Sequence, residues 1–497
     1  MTKEEMLKKL KDWQDKCNAY QMALTIIGID ANNNPPTDGA TYRNEKRAIL
    51  AGETFKIAND PSIYELLKQL EKEDLDGDTK RIVNLHMKEF EKDIDLPHDF
   101  FVQYQLSLGA SEQAWLKYKN EDNYEAYEPY LKDVIEKHKQ KVSYQKSDLK
   151  LYDRMLDNHQ DGWNEEKYDA FFSEIKERIV PLIQEIGKAK QIDESFLYQY
   201  YPVKQQREFL PTIMEYIGFT PNWGKVGESE HPLTTSICKN DIRFTTKFRD
   251  YDVSMAVLSS IHEAGHAYFG HQVADKYDGT IIEQTINAGL HESQSRLCEN
   301  YLGRSFAFWK VNFPKLKELF PEQLKDIQAE DFYRAINASK PSLIRTDADE
   351  LTYPLHIMVR YEIEKGLFNG TISTDGLNKV WNDKYKEYLG IDVPNDKDGI
   401  LQDMHWPYAY FGYFPTYALG SAFAAQFYHK MEEVMNVEEL LLHSQYTTIM
   451  DWLKEHVHQY ANRYTPDEIL EKATGEAFNI NYYVDYLEKK YRQLYNL

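Results

Sequence analysis

The segment SSIHEAGHAYFG, Ser259 to Gly270, sets two histidines four positions apart with a glutamate directly after the first. On a helix His262 and His266 then share one face, and two imidazoles so placed can hold one divalent ion between them. Zinc suits that role because it accepts nitrogen and oxygen ligands, is redox-inert and imposes little geometry of its own. Glu263 sits one step round the helix, close to the ion but angled off it, where a general base for a metal-activated water belongs. In a chain of 497 residues with 15 histidines, such a pattern arises by chance on the order of 4% of the time. The reading therefore turns on a third ligand. NAGLHESQSRLCENYLG follows, and Glu292 stands where a second helix could lay a carboxylate against the first. By spacing alone Glu283 and Glu299 compete with it, while His291 and His271 read as supporting or surface residues. Two histidines and one carboxylate leave the fourth tetrahedral position open, which is the ligand set of a catalytic zinc rather than a structural one.

Positioning these groups requires two helices side by side. Asp252 or Ser254 could cap the first, which runs to about Gly270 with Val257, Ile261, Ala264 and Tyr268 as its buried stripe. Leu290, Leu297 and Tyr301 give the second its apolar side. One strand signal precedes them: in SICKNDIRFTTKF, Ile242, Phe244, Thr246 and Phe248 alternate with Asp241, Arg243 and Thr245. Elsewhere helical periodicity prevails. TKEEMLKKLKDWQDK places Met6, Leu7, Leu10 and Trp13 at helical spacing behind a capping box at Thr2 and Glu5. PSIYELLKQLEKE, VNLHMKEFEKDI, EPYLKDVIEKHKQKV, PLHIMVRYEIEKGLFNG and EILEKATGEAF repeat the amphipathic pattern, and NNNPPTDGA, from Asn32 to Ala40, is a loop. With no repeat and no linker-like tract, the expected fold is mainly α: a single domain over residues 1–497, with an N-terminal helical half to about 220 and a metal-binding half from about 221. A small β element stands ahead of the first metal helix.

Composition excludes some partners. A net charge of -22 gives no bulk attraction for nucleic acid or an anionic membrane, so an anionic ligand needs a local Arg or Lys cluster. No window nears the ~20 apolar residues of a membrane span. Three widely spaced cysteines, Cys17, Cys238 and Cys298, make no disulfide framework. The charged N-terminus MTKEEMLKKLKDWQDK has no signal-peptide core, and a cytoplasmic location is expected. The 37 tyrosines read as packing between helices rather than sugar-stacking platforms.

HEAGH followed by HESQS resembles the carboxypeptidase Taq family of thermostable metallocarboxypeptidases. Three further stretches match that family's patterns: DIRFT (D-x-R-x-T), IRTDAD (I-R-x-x-A-D) and GILQDMHW (G-x-x-Q-D-x-H-W). GYFPTYALG, Gly412 to Gly420, is similar to another family stretch. IIGIDANNNPPTDGATYR resembles an N-terminal segment, with Ile29 where the family pattern has tryptophan. The resemblance implies a deep active-site cleft in a helical body like that of angiotensin-converting-enzyme-like and neurolysin-like peptidases. It implies release of single residues from free peptide C-termini with broad specificity, a homodimer, and one zinc or cobalt ion per chain with Glu292 as third ligand.

On that basis Glu263 is the general base, and Tyr417 and His405 are the oxyanion donors to test. A substrate's terminal carboxylate needs a planar cation, for which Arg345 is the first choice and Arg243 the second, unless either is tied up with Asp241, Asp347 or Asp349. Asp241 and Thr245, which frame Arg243, are grouped with the substrate site. Gln402 and Asp403 shape the closed end of the cleft or orient His405. Two rivals remain. One is a zinc oligopeptidase or dipeptide-releasing carboxypeptidase of the same fold. The other, a non-catalytic helical binding protein, fits poorly with an intact Glu263.

Overall fold

The computed structural model describes residues 1–32, 36–284 and 287–497. Among them the chain forms twenty α-helices and one three-stranded sheet, which is the mainly helical architecture the periodicity predicts. Six helices carry the argument and are numbered in chain order: α1 (Lys3–Asn32), α2 (Ala40–Ala58), α3 (Met255–His271), α4 (Ala288–Arg296), α5 (Tyr353–Asn369) and α6 (Pro415–Val434). The predicted capping box opens α1: Glu5 N–H donates to Thr2 Oγ1 at 3.2 Å, and Thr2 N–H donates to Glu5 Oε2 at 2.8 Å. Of the loop expected over Asn32–Ala40, residues 33–35 lie outside the described residues, and Thr37–Gly39 form a short 3-10 turn.

The largest hydrophobic core draws residues from Tyr104 to Tyr495. The first helices hold a separate cluster built on Met6, Leu10, Leu67, Leu70, Val83 and Phe90. The tyrosines largely do packing work: Phe172 stacks on Tyr168 and Tyr361, and Trp163 meets Tyr168 with ring centroids 4.9 Å apart. In FLYQYY, Tyr201 is buried, while Tyr198 and Tyr200 are exposed.

The β element departs from expectation. The single expected strand is two, β2 (Thr234–Cys238) and β3 (Asp241–Thr246), because the chain turns at Lys239 and Asn240; Phe248 lies past the end of β3. A further strand, β1 (Gly224–Glu228), pairs parallel with β3, giving the order β1-β3-β2. GKVGE carries one large apolar residue and two glycines, so it leaves no alternating signal. On β3 the alternation holds: Ile242, Phe244 and Thr246 are buried against α3 while Asp241, Arg243 and Thr245 are half-buried on the other face.

Asp252, not Ser254, supplies the cap of α3. Its Oδ1 accepts the Ser254 and Met255 N–H groups at 3.0 Å each, and Ser254 makes no side-chain cap bond. Val257, Ile261, Ala264 and Tyr268 are all buried, as expected. The second helix is not one α-helix. After α4 the chain widens into a π-helix over Leu297–Gly303, a rare form that concentrates at functional sites. Leu290, Leu297 and Tyr301 are nonetheless buried along it.

Candidate active site

Two glycines let the helices close on each other. A Cβ on Gly265, inside HEAGH, would stand 2.5 Å from Gln294 O and 2.7 Å from Ser295 Cα, so only glycine allows α3 to lie directly on the backbone of α4. From the other side, α6 runs along α4, and a Cβ on Gly420 would stand 2.7 Å from Glu292 Cβ. Glu292 is therefore pressed toward the imidazoles by two helices. Its Oε2 lies 3.4 Å from His266 Nε2 and 3.9 Å from His262 Nε2. Among the described residues, His262, His266 and Glu292 form the one group of potential ligands whose donor atoms all lie within 4.8 Å of one another. A tetrahedral ion with bonds of ~2.0–2.2 Å needs donors roughly 3.3–3.5 Å apart, so this set suits one zinc-sized ion after slight closure.

The groups around the triad fix its chemistry. Arg296 Nε donates to Glu292 Oε1 at 2.7 Å, leaving Oε2 as the oxygen available to a metal. Burial pushes the Glu292 carboxyl up, but Arg296, His262 and His266 outweigh it and hold the carboxyl well below the usual range. Glu299, weighed from spacing as a ligand, stands instead behind His262. It is 2.9 Å from Nδ1 and is held by Arg304 Nη2 at 2.8 Å. That contact orients the ring with Nε2 toward Glu292, as partners behind metal-binding histidines do. Glu283 accepts the Gly279 N–H at 2.7 Å and closes a turn, so it is no ligand. His291 stacks on His266 with centroids 4.4 Å apart, and His271 stacks on Trp223 away from the triad. Glu263 is buried, and its Oε2 accepts a hydrogen bond from Thr234 Oγ1 at 2.6 Å.

A second cluster is joined to the first through tyrosines. The Tyr353 ring lies under the Arg296 guanidinium at 4.4 Å and 6.5 Å from the Tyr417 ring, and Tyr417 in turn lies 5.3 Å from the Arg345 guanidinium. His405 Nε2 is 3.3 Å from Tyr417 Oη, while His405 Nδ1 is buried without a partner. Burial, with Arg345 and Arg360 nearby, lowers His405 to about 3, so its ring is neutral. Burial raises Tyr417 well above 10, so its hydroxyl keeps its proton.

Arg345 is paired, but with none of the carboxylates weighed from the sequence. Its Nε and Nη2 donate to Asp403 Oδ1 at 3.1 and 2.8 Å, and Arg360, fully buried on α5, donates from Nε to Asp403 Oδ2 at 2.7 Å. Asp349 is occupied by Ser339, Leu351 and Thr352. Burial pushes Asp403 up, yet the two guanidiniums override it and hold the carboxyl far below its ordinary value. Within this direct contact two cations share one anion. Gln402 supports Arg345 by accepting its backbone N–H at 2.8 Å. The His405 loop is tethered by buried Glu364, which accepts Trp406 Nε1 at 2.7 Å, Gly412 N at 2.8 Å and Tyr152 Oη at 3.0 Å.

Arg243 is placed differently. Its Nε and Nη2 each donate to an Asp241 oxygen at 2.8 Å, and with Thr245 it lines a groove of about 350 Å³ against α1 and α2. Thr245 Oγ1 bonds Ser229 Oγ at 2.6 Å. None of these contacts reaches the triad. The sequence reading missed Arg296, Glu299 in its supporting place, Thr234, Tyr353 and Arg360. Only Arg296 left a signal, four residues after Glu292 on one helix face.

The family model for carboxypeptidase Taq (M32) metallopeptidase matches residues 9–491. Carboxypeptidase 1 of Bacillus subtilis is 37% identical over 494 residues, covering 99% of each chain. Thermostable carboxypeptidase 1 of Thermus thermophilus is 34% identical over 511 residues and covers both chains fully. Among solved structures, an M32 carboxypeptidase from Deinococcus radiodurans superposes with a TM-score of 0.95 at 32% identity, over 99% of this chain and 100% of the other.

Proposed function

This chain belongs to the carboxypeptidase Taq (M32) metallopeptidase family, whose members are peptide hydrolases, and from that premise we propose that it removes single residues from free peptide C-termini with broad specificity. His262, His266 and Glu292 are proposed to hold one zinc ion per chain, with cobalt able to replace it. Bound there, the metal would polarise the scissile carbonyl and lower the pKa of water toward ~7.

The chain's own groups then divide the work. Glu263 accepts the proton of the attacking water and returns it to the departing amine nitrogen. Neutral His405 and protonated Tyr417 donate hydrogen bonds to the oxygen on which charge develops. Arg345 receives the substrate's terminal carboxylate. In a chain of net charge -22, the buried excess of one positive charge among Arg345, Arg360 and Asp403 is the observation that carries this reading. An incoming carboxylate completes a set of two cations and two anions, and arginine's planar fork suits it. Asp403 and Gln402 keep Arg345 in place, while Arg243 and Thr245, in their separate groove against α1 and α2 with Asp241 paired to Arg243, are proposed to extend the substrate-binding surface beyond the triad. Three free cysteines fit a cytoplasmic location, and family membership supports a homodimer.

A matched pair of peptides, one with a free and one with an amidated C-terminus, tests the reading. Loss of single residues from the free peptide alone is expected. Cleavage of the amidated peptide would mark an internally cutting peptidase, and dipeptide release would mark a dipeptidyl carboxypeptidase.

A further inference from the structure

Thr234 carries no role in any of the motifs above, yet its side chain meets the general base. It opens β2, one of the two edge strands of the sheet, and pairs with Phe244 across the ladder to β3. Phe244 and Ile242 on β3 are fully buried, so the strand to which Thr234 pairs is anchored in the core. A β-branched side chain on such a strand has few rotamers, which places the hydroxyl firmly. That hydroxyl lies 2.6 Å from Glu263 Oε2 and 3.0 Å from the Glu263 main-chain oxygen.

The consequence concerns the freedom of the base. A glutamate side chain turns about three bonds, and either oxygen can present itself to a water. With Oε2 taken by Thr234, and no donor to Oε1 among the described residues, the two oxygens differ: one is tethered and the other is free to accept a proton. We propose that Thr234 is a positioning residue for the hydrolytic step, its hydroxyl holding Glu263 Oε2 so that Oε1 alone serves as the base. This rests on the reading of Glu263 as general base. Fixing a reacting group within a fraction of an ångström is worth much in rate, since displacements of about 1 Å can cost 10²-fold.

The test separates hydroxyl from methyl. Thr234→Val keeps the shape and suits a strand. It is expected to lower kcat about 10- to 100-fold, with KM, zinc content and melting temperature close to those of the unmodified enzyme. Thr234→Ser, which keeps the hydroxyl, is expected to restore most of the rate. Thr234→Ala serves in place of valine should valine disturb the strand, with the same expected loss. Wild-type kcat in the valine variant overturns the proposal, as does a serine variant as slow as the valine one, which would mean the methyl group matters. Glu263→Gln, assayed alongside, keeps the two claims apart. If it is inactive while Thr234→Val is fully active, only the role of Thr234 fails; if it is active, the base assignment itself fails.

Discussion

The two halves of the candidate site are held together in different ways. The metal half rests on regular helices: His262, Glu263 and His266 share α3, Glu292 comes from α4, and glycines at 265 and 420 set how closely the backbones approach. The carboxylate half rests largely on short turns and loops: Arg345 opens a 3-10 turn, Asp403 and His405 come from an irregular segment, and they are tied by ion pairs, one of them to Arg360 on α5, and by Glu364. Helix spacing is local, so the first half is written in consecutive residues. A charge network is assembled from distant segments, so the second half is not. The first should fail by losing chemistry or metal, and the second by losing anchorage or stability.

That difference can be tested in graded steps. The largest effect is expected from Glu263→Gln, which should retain metal and lose turnover by roughly 10⁴-fold, the upper end of what a general base contributes. Metal analysis beside single-turnover kinetics checks it. Next is Asp403→Asn, which leaves two buried guanidiniums without their shared anion and should cost about 3 kcal/mol of folding stability in denaturant titrations. The sign with pH follows from the depressed Asp403 value. Its contribution is complete above the unfolded carboxyl pKa of ~3.9 and is lost as pH falls toward the folded value, so the difference between variant and wild type should shrink below about pH 4. Gly265→Ala should then cost about 1–3 kcal/mol and weaken zinc binding, because the added carbon meets the backbone of α4. A variant as stable and as tight for zinc as the wild type would remove the close-packed helix pair from the account. The smallest effect is expected on the pH profile. His405 titrates near 3, so replacing it with glutamine should lower kcat without moving either limb of the activity profile between pH 5 and 8.

The same contrast explains what could be read from the chain before its structure. The helix pair, the buried stripe of α3 and the two histidines follow from fixed spacings, and so does the start of α3 once Asp252 takes the cap, whereas spacing left Glu292 level with Glu283 and Glu299 and only the family resemblance singled it out. The turn at Lys239 and Asn240 stayed hidden because every alternating residue, from Ile242 to Phe248, lies after it, so the pattern did not mark where the strand begins. The π-helix stayed hidden because its apolar residues also suit an α-helix. Glu299 could be placed near the histidines but not behind one of them, since spacing does not say which ring nitrogen a carboxylate meets. Arg360 and Tyr353 lie in a helix buried on nearly every face, where amphipathic patterning marks no direction toward a site.

The central claim is that one ion sits among three side chains from α3 and α4, with Glu263 beside it and unbound. Anomalous diffraction at the zinc edge from crystals of the zinc-loaded protein tests it most directly. The account expects one peak per chain, ~2.0–2.2 Å from His262 Nε2, His266 Nε2 and Glu292 Oε2. A peak elsewhere, or one bonded to Glu263 or Glu299 in place of Glu292, would contradict it.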